Sequence, residues 1–443
     1  MAFGALVLVI ISLQVSVIDF QNELAPYIEN QETPGQSISS ASREYCMMWC
    51  PGRDERSSLP GSVPLGLEHQ MQVHCCKVCT LNRCFQIISD TRKPTNATDI
   101  TIGTFATFDR LGAMDLLNKN WIGPKTLIIF LSDYNHQDRI SLESKLSWIH
   151  NKTKEWSNTL VAIYLTDFES DSQFFADTNI IRSFKSNSTI VPLLPINTLR
   201  NIAMDLAETQ YFFGVDIDFY PSRTCYARVQ SILSQENNLE EKSALIIPHF
   251  EFRSCFYANS SIDSLKSFYP ETIEEFMHHF NLGRIRPFES CFASCYDFGL
   301  NFSLFSPQAC QNRIEKTFDR LDLGRLTGYE AWVSETRRWI DSGDQTQIVS
   351  RIQRRLSSSW EPYLIASIPQ LTRYNEMFVG RYFDKVSFVT SQTAKNMSYH
   401  RVTGEFLFHQ AHPQSLESMS LHLKFRSHQE RMRRLFHAVS GRH

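Results

Sequence analysis

Hydrophobic positions change their rhythm near residue 98. From residue 21 to about 94 the chain is polar, broken by Pro, Gly and Ser, dense in cysteine and without a sustained helical or strand period. Beyond it, short apolar runs alternate with amphipathic stretches and predict strands over residues 100–105, 126–131, 160–165, 189–194, 211–215 and 244–248. That alternation is the signature of an α/β domain built on a central, mainly parallel sheet. Between the fourth and fifth runs Leu199, Ile202, Ala203, Leu206 and Ala207 recur at i, i+3, i+4, i+7 and i+8, so a helix starting near Asn197 buries one face. Residues 424–443 read as a basic helix with Phe425 and Leu435 among Arg431, Arg433 and Arg434, a solvated face packed on the domain. Trp332 and Trp339 share a helical face, which suits core packing or part of a sugar platform.

Residues 1–18 are apolar and uncharged, and Asp19 is the first ionisable side chain. A signal peptide or type II signal anchor fits this segment, which is slightly short of a full span and lacks a basic leading region; a buried N-terminal element is the competing reading. The expected organisation is residues 1–20 as signal or anchor, 21–95 as a stem with a Cys-rich disulfide module, and 96–443 as the α/β domain.

Composition narrows the class. The chain has 443 residues, 42% hydrophobic and 21% charged, which excludes collagen-like, wholly disordered and multi-span membrane proteins. With 44 basic and 47 acidic residues the net charge is −3, and no electrostatic footprint for nucleic acid exists. Eleven cysteines fit the secretory route. Six form a block, Cys46, Cys50, Cys75, Cys76, Cys79 and Cys84; the CxxC at Cys76 and Cys79 beside His74 admits zinc, but its spacing to Cys46 and Cys50 favours disulfides. An odd total leaves one thiol free or pairing between chains, so a homo-oligomer is open. Six N-x-S/T sequons begin at Asn96, Asn151, Asn187, Asn259, Asn301 and Asn396 and agree with a luminal location.

The chemistry concentrates in Tyr211-Phe-Phe-Gly-Val-Asp-Ile-Asp-Phe-Tyr-Pro221, an apolar strand ending in two acids one residue apart. Ligands of open α/β sheets bind beyond the carboxyl ends of strands, where Asp216 and Asp218 can share a hard divalent cation. A cation with open positions would neutralise a departing diphosphate. A solvated turn is the bland alternative.

This segment, with Pro195-Ile-Asn-Thr-Leu-Arg-Asn-Ile-Ala203 before it, resembles glycosyltransferase family 49, the group of the LARGE-type C-terminal domain and β-1,4-glucuronyltransferase 1. Asp109-Arg-Leu111, Trp121-Ile-Gly-Pro124, Ala244-Leu-Ile-Ile-Pro-His-Phe-Glu251, Gly283-Arg-Ile-Arg-Pro-Phe288, Trp360-Glu-Pro-Tyr363 and Phe406-Leu-Phe-His409 follow in the family's order. The resemblance implies a GT-A fold and a Golgi-resident, type II, inverting enzyme that uses a UDP-sugar with Mn2+ and a glycan or glycoprotein acceptor. Cys291, Cys295 and Asn301-Phe-Ser-Leu-Phe305 echo the single-domain glucuronyltransferase branch, so glucuronic acid is the expected sugar and N-acetylglucosamine the alternative.

The same resemblance assigns roles. Asp216, Asp218 and His409 become metal ligands, a neutral imidazole being suited to manganese, while His412 matches only the LARGE branch. Arg200 and Asn201, with Thr104, fall to donor binding; a structural ion pair is the competing role for Arg200. Inversion needs a carboxylate base, and the candidates are Glu361, Asp384 and Glu376. Here the chain departs from the family: an acid and an arginine have become Asn375 and Met377, Asp384 stands where the family has asparagine, and Tyr296-Asp-Phe-Gly-Leu300 replaces a Gln-x-Pro-Thr element. An amide cannot act as a base at neutral pH. A catalytically inactive protein binding glycan or a partner enzyme is therefore the second reading.

Overall fold

Four apolar runs form the spine. In the computed structural model β3 (Ile100–Thr107), β4 (Lys125–Leu131), β5 (Thr159–Leu165) and β8 (Tyr211–Gly214) lie parallel in the order β5-β4-β3-β8. The structure describes residues 72–78, 81–93, 95–96, 98–131, 139–165, 183–186, 189–192, 194–235, 242–252, 268–288, 329–342, 349–352, 361–380, 382–412 and 426–440. Every residue of β4 is buried, as expected of a strand covered on both faces. Its side chains alternate between two cores, Leu127, Ile129 and Leu131 on one side and Ile128 and Phe130 on the other.

Antiparallel strands flank this parallel centre. On one side β2 (Leu81–Asp90) pairs with β5 and with β1 (Gln72–Val78). On the other come β14 (Tyr363–Ser367), β10 (Ser243–Ile247), β15 (Ser398–Val402) and β13 (Val349–Arg351), completing a ten-stranded mixed sheet. The sheet thus begins within the stretch read as stem. Cysteine pairing in the block lies outside the described side chains; Cys225 is a free, buried thiol. The run expected at 189–194 forms β7 (Thr189–Pro192), which pairs with β6 (Ser183–Ser186) apart from the main sheet. A four-stranded sheet of β12 (Ile285–Pro287), β11 (His249–Phe252), β16 (Leu407–His409) and β9 (Phe219–Pro221) continues beyond it.

The helices are α1 (Met114–Asn120), α2 (Arg139–Thr153), α3 (Ile196–Asp205), α4 (Cys225–Ser234), α5 (Ile273–Asn281), α6 (Tyr329–Ser342), α7 (Asp384–Ala394) and α8 (Arg426–Ser440). The helix expected near Asn197 is α3. Gly103 of β3 admits it: a Cβ there would stand 2.2 Å from the Phe212 ring and 3.2 Å from Ala203 of α3. The basic tail is α8, whose Met432, Leu435 and Phe436 pack on Phe378 and Val386. Trp332 is fully buried and donates to Val402 O at 2.9 Å, while Trp339 lies 4.2 Å beneath the Arg228 guanidinium. Core packing is therefore the fate of Trp332. No helix among the described residues is long and apolar enough to cross a membrane.

Directions within the sheet locate the site. β8 runs antiparallel to β14, and β14 antiparallel to β10, so the carboxyl ends of β3, β8 and β10 and the start of β14 share one edge. The DxD acids follow β8 at that edge.

Away from it, Lys125 is fully buried, donating to Trp121 O at 2.9 Å and Gly123 O at 3.2 Å. Burial pushes its ammonium down to about 7. Below that pH folded and unfolded chains both hold the proton and the burial penalty is complete. Above it the folded chain sheds the proton while the unfolded chain keeps it to about 10.4, so the penalty fades as pH rises. Urea unfolding of wild type and Lys125→Met at pH 7 and pH 9.5 is expected to show the variant's relative stability falling at the higher pH. A gap that does not change would contradict a proton lost on folding.

Candidate active site

The chain leaves β8 at Gly214 and turns. Val215 N–H donates to Gly103 O and Phe219 N–H to Asp216 O, both at 3.0 Å. Val215 and Ile217 are buried in the core, and the acids between and after them project past the sheet edge.

Asp216 is closed into an ion cluster. Its Oδ1 accepts from Arg200 Nη2 at 2.8 Å, and its Oδ2 accepts from Tyr363 Oη at 2.8 Å and Lys385 Nζ at 3.1 Å. Arg200 also donates from Nη1 to Asp384 Oδ2 at 2.6 Å and Asn197 Oδ1 at 3.1 Å, its guanidinium 5.4 Å from the ring centres of both Phe105 and Tyr374. Lys385 Nζ donates to Tyr363 Oη at 3.0 Å and lies 3.7 Å from Glu361 Oε2. Burial alone would raise the Asp216 carboxyl, but Lys385 and Arg200 outweigh it and hold the group far below the usual carboxylate range.

The approach to α7 aims Asp384 and Lys385 inward. Tyr382 and Phe383 precede it with φ of 87° and 60°, a left-handed conformation that costs a non-glycine residue about 1–3 kcal/mol. The Phe383 ring stacks on Phe436 of α8, centroids 5.0 Å apart, so the tail helix holds the bend.

Asp218 meets two histidines. Its Oδ2 lies 2.8 Å from His412 Nε2 and 3.6 Å from His409 Nε2, and the two Nε2 atoms are 3.3 Å apart. Pairing of β16 with β9 sets His409 opposite Phe219, and Gln410 N–H donates to Asp218 O at 2.7 Å. Glu251 Oε2 stands 3.7 Å behind His409 Nδ1 and is bridged by Arg286 at 2.8 Å, an outer contact of the kind that orients ligating histidines. Asp218 Oδ1 and His409 Nδ1 are buried with no hydrogen-bond partner among the described residues. The three side chains offer one oxygen and two nitrogens within 4.8 Å of one another, a donor set that fits a divalent transition ion such as manganese. Burial would raise the Asp218 carboxyl too, yet the imidazoles of His409 and His412 beside it keep it well below its ordinary value.

A family model described as a glycosyl-transferase for dystroglycan matches residues 99–299 and 325–440. The chain belongs to this glycosyltransferase family. It is 26% identical over 247 residues to the xylosyl- and glucuronyltransferase LARGE2 of Rattus norvegicus, covering 50% of this chain and 30% of that one. Against LARGE2s of Gallus gallus the identity is 28% over 156 residues, 35% and 18% of the two chains, and against LARGE1 of Homo sapiens 26% over 159 residues, 35% and 17%. The chain therefore spans less than a third of each of these relatives. The crystal structure of S. aureus TarS 1-349 overlaps 69% of this chain and 60% of its own at 10% identity and a TM-score of 0.28.

All the expected residues but Thr104 fall into three groups. Arg200, Asp216, Asp384 and Glu361 meet in the ion cluster, and Asp218 with His409 in the ligand group. Asn201 and Glu376 meet behind them: Asn201 Nδ2 donates to Glu376 Oε1 at 2.6 Å and Tyr374 O at 2.9 Å, while Thr198 Oγ1 donates to Glu376 Oε2 at 3.0 Å. Thr104, beside Gly103, is buried with its hydroxyl making no hydrogen bond among the described residues. Asn375 Oδ1 accepts from Met377 N–H at 3.0 Å, so its side chain holds its own loop. Sequence reasoning gave no role to Lys385 or Tyr363, although Tyr363 closes a quoted motif and Lys385 directly follows Asp384. His412, set aside with one branch, makes the closer contact to Asp218, a pairing signalled by the i, i+3 histidines.

This grouping makes a quantitative ordering. By calorimetry with manganese, Asp218→Asn, His409→Ala and His412→Ala are each expected to weaken binding more than about tenfold, no less than losing an outer-shell partner. Asp216→Asn is expected to weaken it less. Equal losses for both acids would place Asp216 among the ligands.

Proposed function

We propose that this protein is a metal-dependent, inverting glycosyltransferase that moves a sugar, glucuronic acid foremost, from a UDP-sugar to a glycan acceptor on protein in the Golgi lumen. The observation that carries the reading is the Asp218, His409 and His412 group at the strand edge of a chain matched by a glycosyltransferase family. Manganese held there would neutralise the departing diphosphate. The relatives' printed activities, xylosyl- and glucuronyltransfer, support the donor, and the family's description supports a glycoprotein acceptor.

Geometry divides the three candidate bases. Asp384 serves Arg200, and both oxygens of Glu376 serve Asn201 and Thr198. Glu361, 3.7 Å from Lys385, has a side chain 20% exposed against 10% for Asp384, so an acceptor hydroxyl can reach it and it takes the acceptor proton. As the acceptor oxygen attacks the anomeric carbon its proton passes to the Glu361 carboxylate, and the bond to the diphosphate oxygen breaks. Arg200, carried over as a donor residue, here orients Asp216. Luminal residence is supported by three sequons whose asparagines, Asn96, Asn151 and Asn396, are all exposed; the N-terminal segment would act as anchor or cleaved signal.

A non-catalytic, glycan-binding role is the second reading, favoured by the amide at Asn375. UDP release by the fragment from Gln21 onward, over a panel of UDP-sugars with and without manganese, separates the two. The expected result is manganese-dependent release from UDP-glucuronic acid, reduced about 100-fold or more in Glu361→Gln as for loss of a general base. Manganese-dependent UDP binding with no turnover of any donor would move the non-catalytic reading ahead.

A further inference from the structure

Two motifs of the sequence, the run that ends in Glu251 and the run from Gly283 to Phe288, have no part in the mechanism above. The structure brings them together behind a metal ligand. β11 and β12 pair antiparallel with Glu251 opposite Arg286, both side chains are buried, and Arg286 Nη2 donates to Glu251 Oε1 at 2.8 Å. On its other side β11 runs parallel to β16 with Phe250 beside Phe408. The next residue of each strand then meets the other, Glu251 Oε2 lying 3.7 Å from His409 Nδ1. Phe288 and Phe219 set their ring centres 4.6 and 4.9 Å from that of His409. Packing therefore fixes where the imidazole stands, and what is left to decide is which of its nitrogens carries the proton.

A neutral imidazole has one N–H and one lone pair. Nε2 faces the ligand group, 3.6 Å from Asp218 Oδ2 and 3.3 Å from His412 Nε2, so it can bind a cation only with the proton on Nδ1. Asp218 works against this, because a carboxylate beside Nε2 draws the proton to that nitrogen and covers the lone pair. Nδ1 is buried with no hydrogen-bond partner among the described residues, and an N–H there needs an acceptor. Glu251 Oε2 stands on that side, while Arg286 engages the other oxygen.

We propose that Glu251 is the positioning residue that makes His409 a ligand: its Oε2 accepts the Nδ1–H, which leaves the Nε2 lone pair for the cation, and Arg286 holds the carboxylate in place. A small turn of the carboxylate brings the 3.7 Å contact to the roughly 3 Å of a hydrogen bond. This rests on the cation-site reading above, and it adds that the second sheet chooses the tautomer on which metal affinity depends.

Two double variants test it without leaving a buried charge unpaired, since replacing both members of a buried ion pair spares the fold. Glu251→Leu with Arg286→Met removes every acceptor behind Nδ1, whereas Glu251→Gln with Arg286→Met keeps one amide oxygen there. Manganese alone is the probe, a hard ion that leaves cysteine thiolates aside. Free manganese is counted by electron paramagnetic resonance, which reads weak binding as well as tight. The expected result is about tenfold weaker binding in the Leu variant, the scale of losing an outer-shell partner, and recovery to within about threefold of wild type in the Gln variant. In a His409→Ala background the two are expected to bind manganese equally, within about twofold, because the effect passes through that imidazole. If either double variant melts lower than wild type, Glu251→Gln alone carries the test. Its single oxygen turns to Arg286 and Nδ1 loses its acceptor, so binding falls about tenfold with His409 present and not without it. Equal affinities of the two double variants, or of wild type and Glu251→Gln, would overturn the assignment, as would a difference that persists without His409. Wild type that binds no manganese, or binds it as tightly after His409→Ala, contradicts the cation site itself and the assignment with it.

Discussion

A single buried guanidinium ties the site together. Arg200 of α3 reaches Asp216 beyond β8 and Asp384 at the head of α7, joining three elements that have no backbone pairing with one another. Burying that charge is tolerable because two carboxylates, Asn197 and two aromatic faces surround it. Removing one partner would leave a charge without compensation, a cost of about 3–5 kcal/mol. Asn201, one residue on, binds the 374–376 loop from the same helix through Tyr374 and Glu376. The helix thus fixes the loop that leads to two bulky residues with positive φ before α7.

The consequence is a division of labour between the two acids. Asp216 has both oxygens committed to Arg200, Tyr363 and Lys385, and its charge is spent on holding cations. Asp218 turns instead to histidines delivered by the second sheet, through the pairing of β9 with β16 and the bond from Gln410 to Asp218 O. The DxD is therefore a junction between two sheets, one acid facing each.

Much of this was legible. The short apolar runs marked β3, β4, β5, β8 and β10 within a residue or two, because these strands are largely buried, and the i, i+3, i+4 pattern marked α3, which buries one apolar face. Short strands such as β9, β11 and β16 were not legible: three or four residues carry no measurable period, and they are strands because neighbours with distant sequence positions pair with them. The expectation of a mainly parallel sheet missed β14, whose run of Tyr363 to Ser367 reads the same in either direction. Asp218 and His409 were legible through their motifs. Asp384, Glu376 and Glu361 look alike as acids on paper, and only the structure shows a guanidinium on the first, an amide with a hydroxyl on the second and an ammonium near the third.

The central claim is that Asp218, His409 and His412 form the cation site while Asp216 stands outside it. Diffraction at the manganese absorption edge from crystals grown with manganese and UDP tests it directly. The account predicts one anomalous peak within coordination distance of the Asp218 carboxylate and both Nε2 atoms, with the Arg200 to Asp216 contact intact. A peak bound to Asp216 with Arg200 displaced, or a peak away from the two histidines, would contradict it.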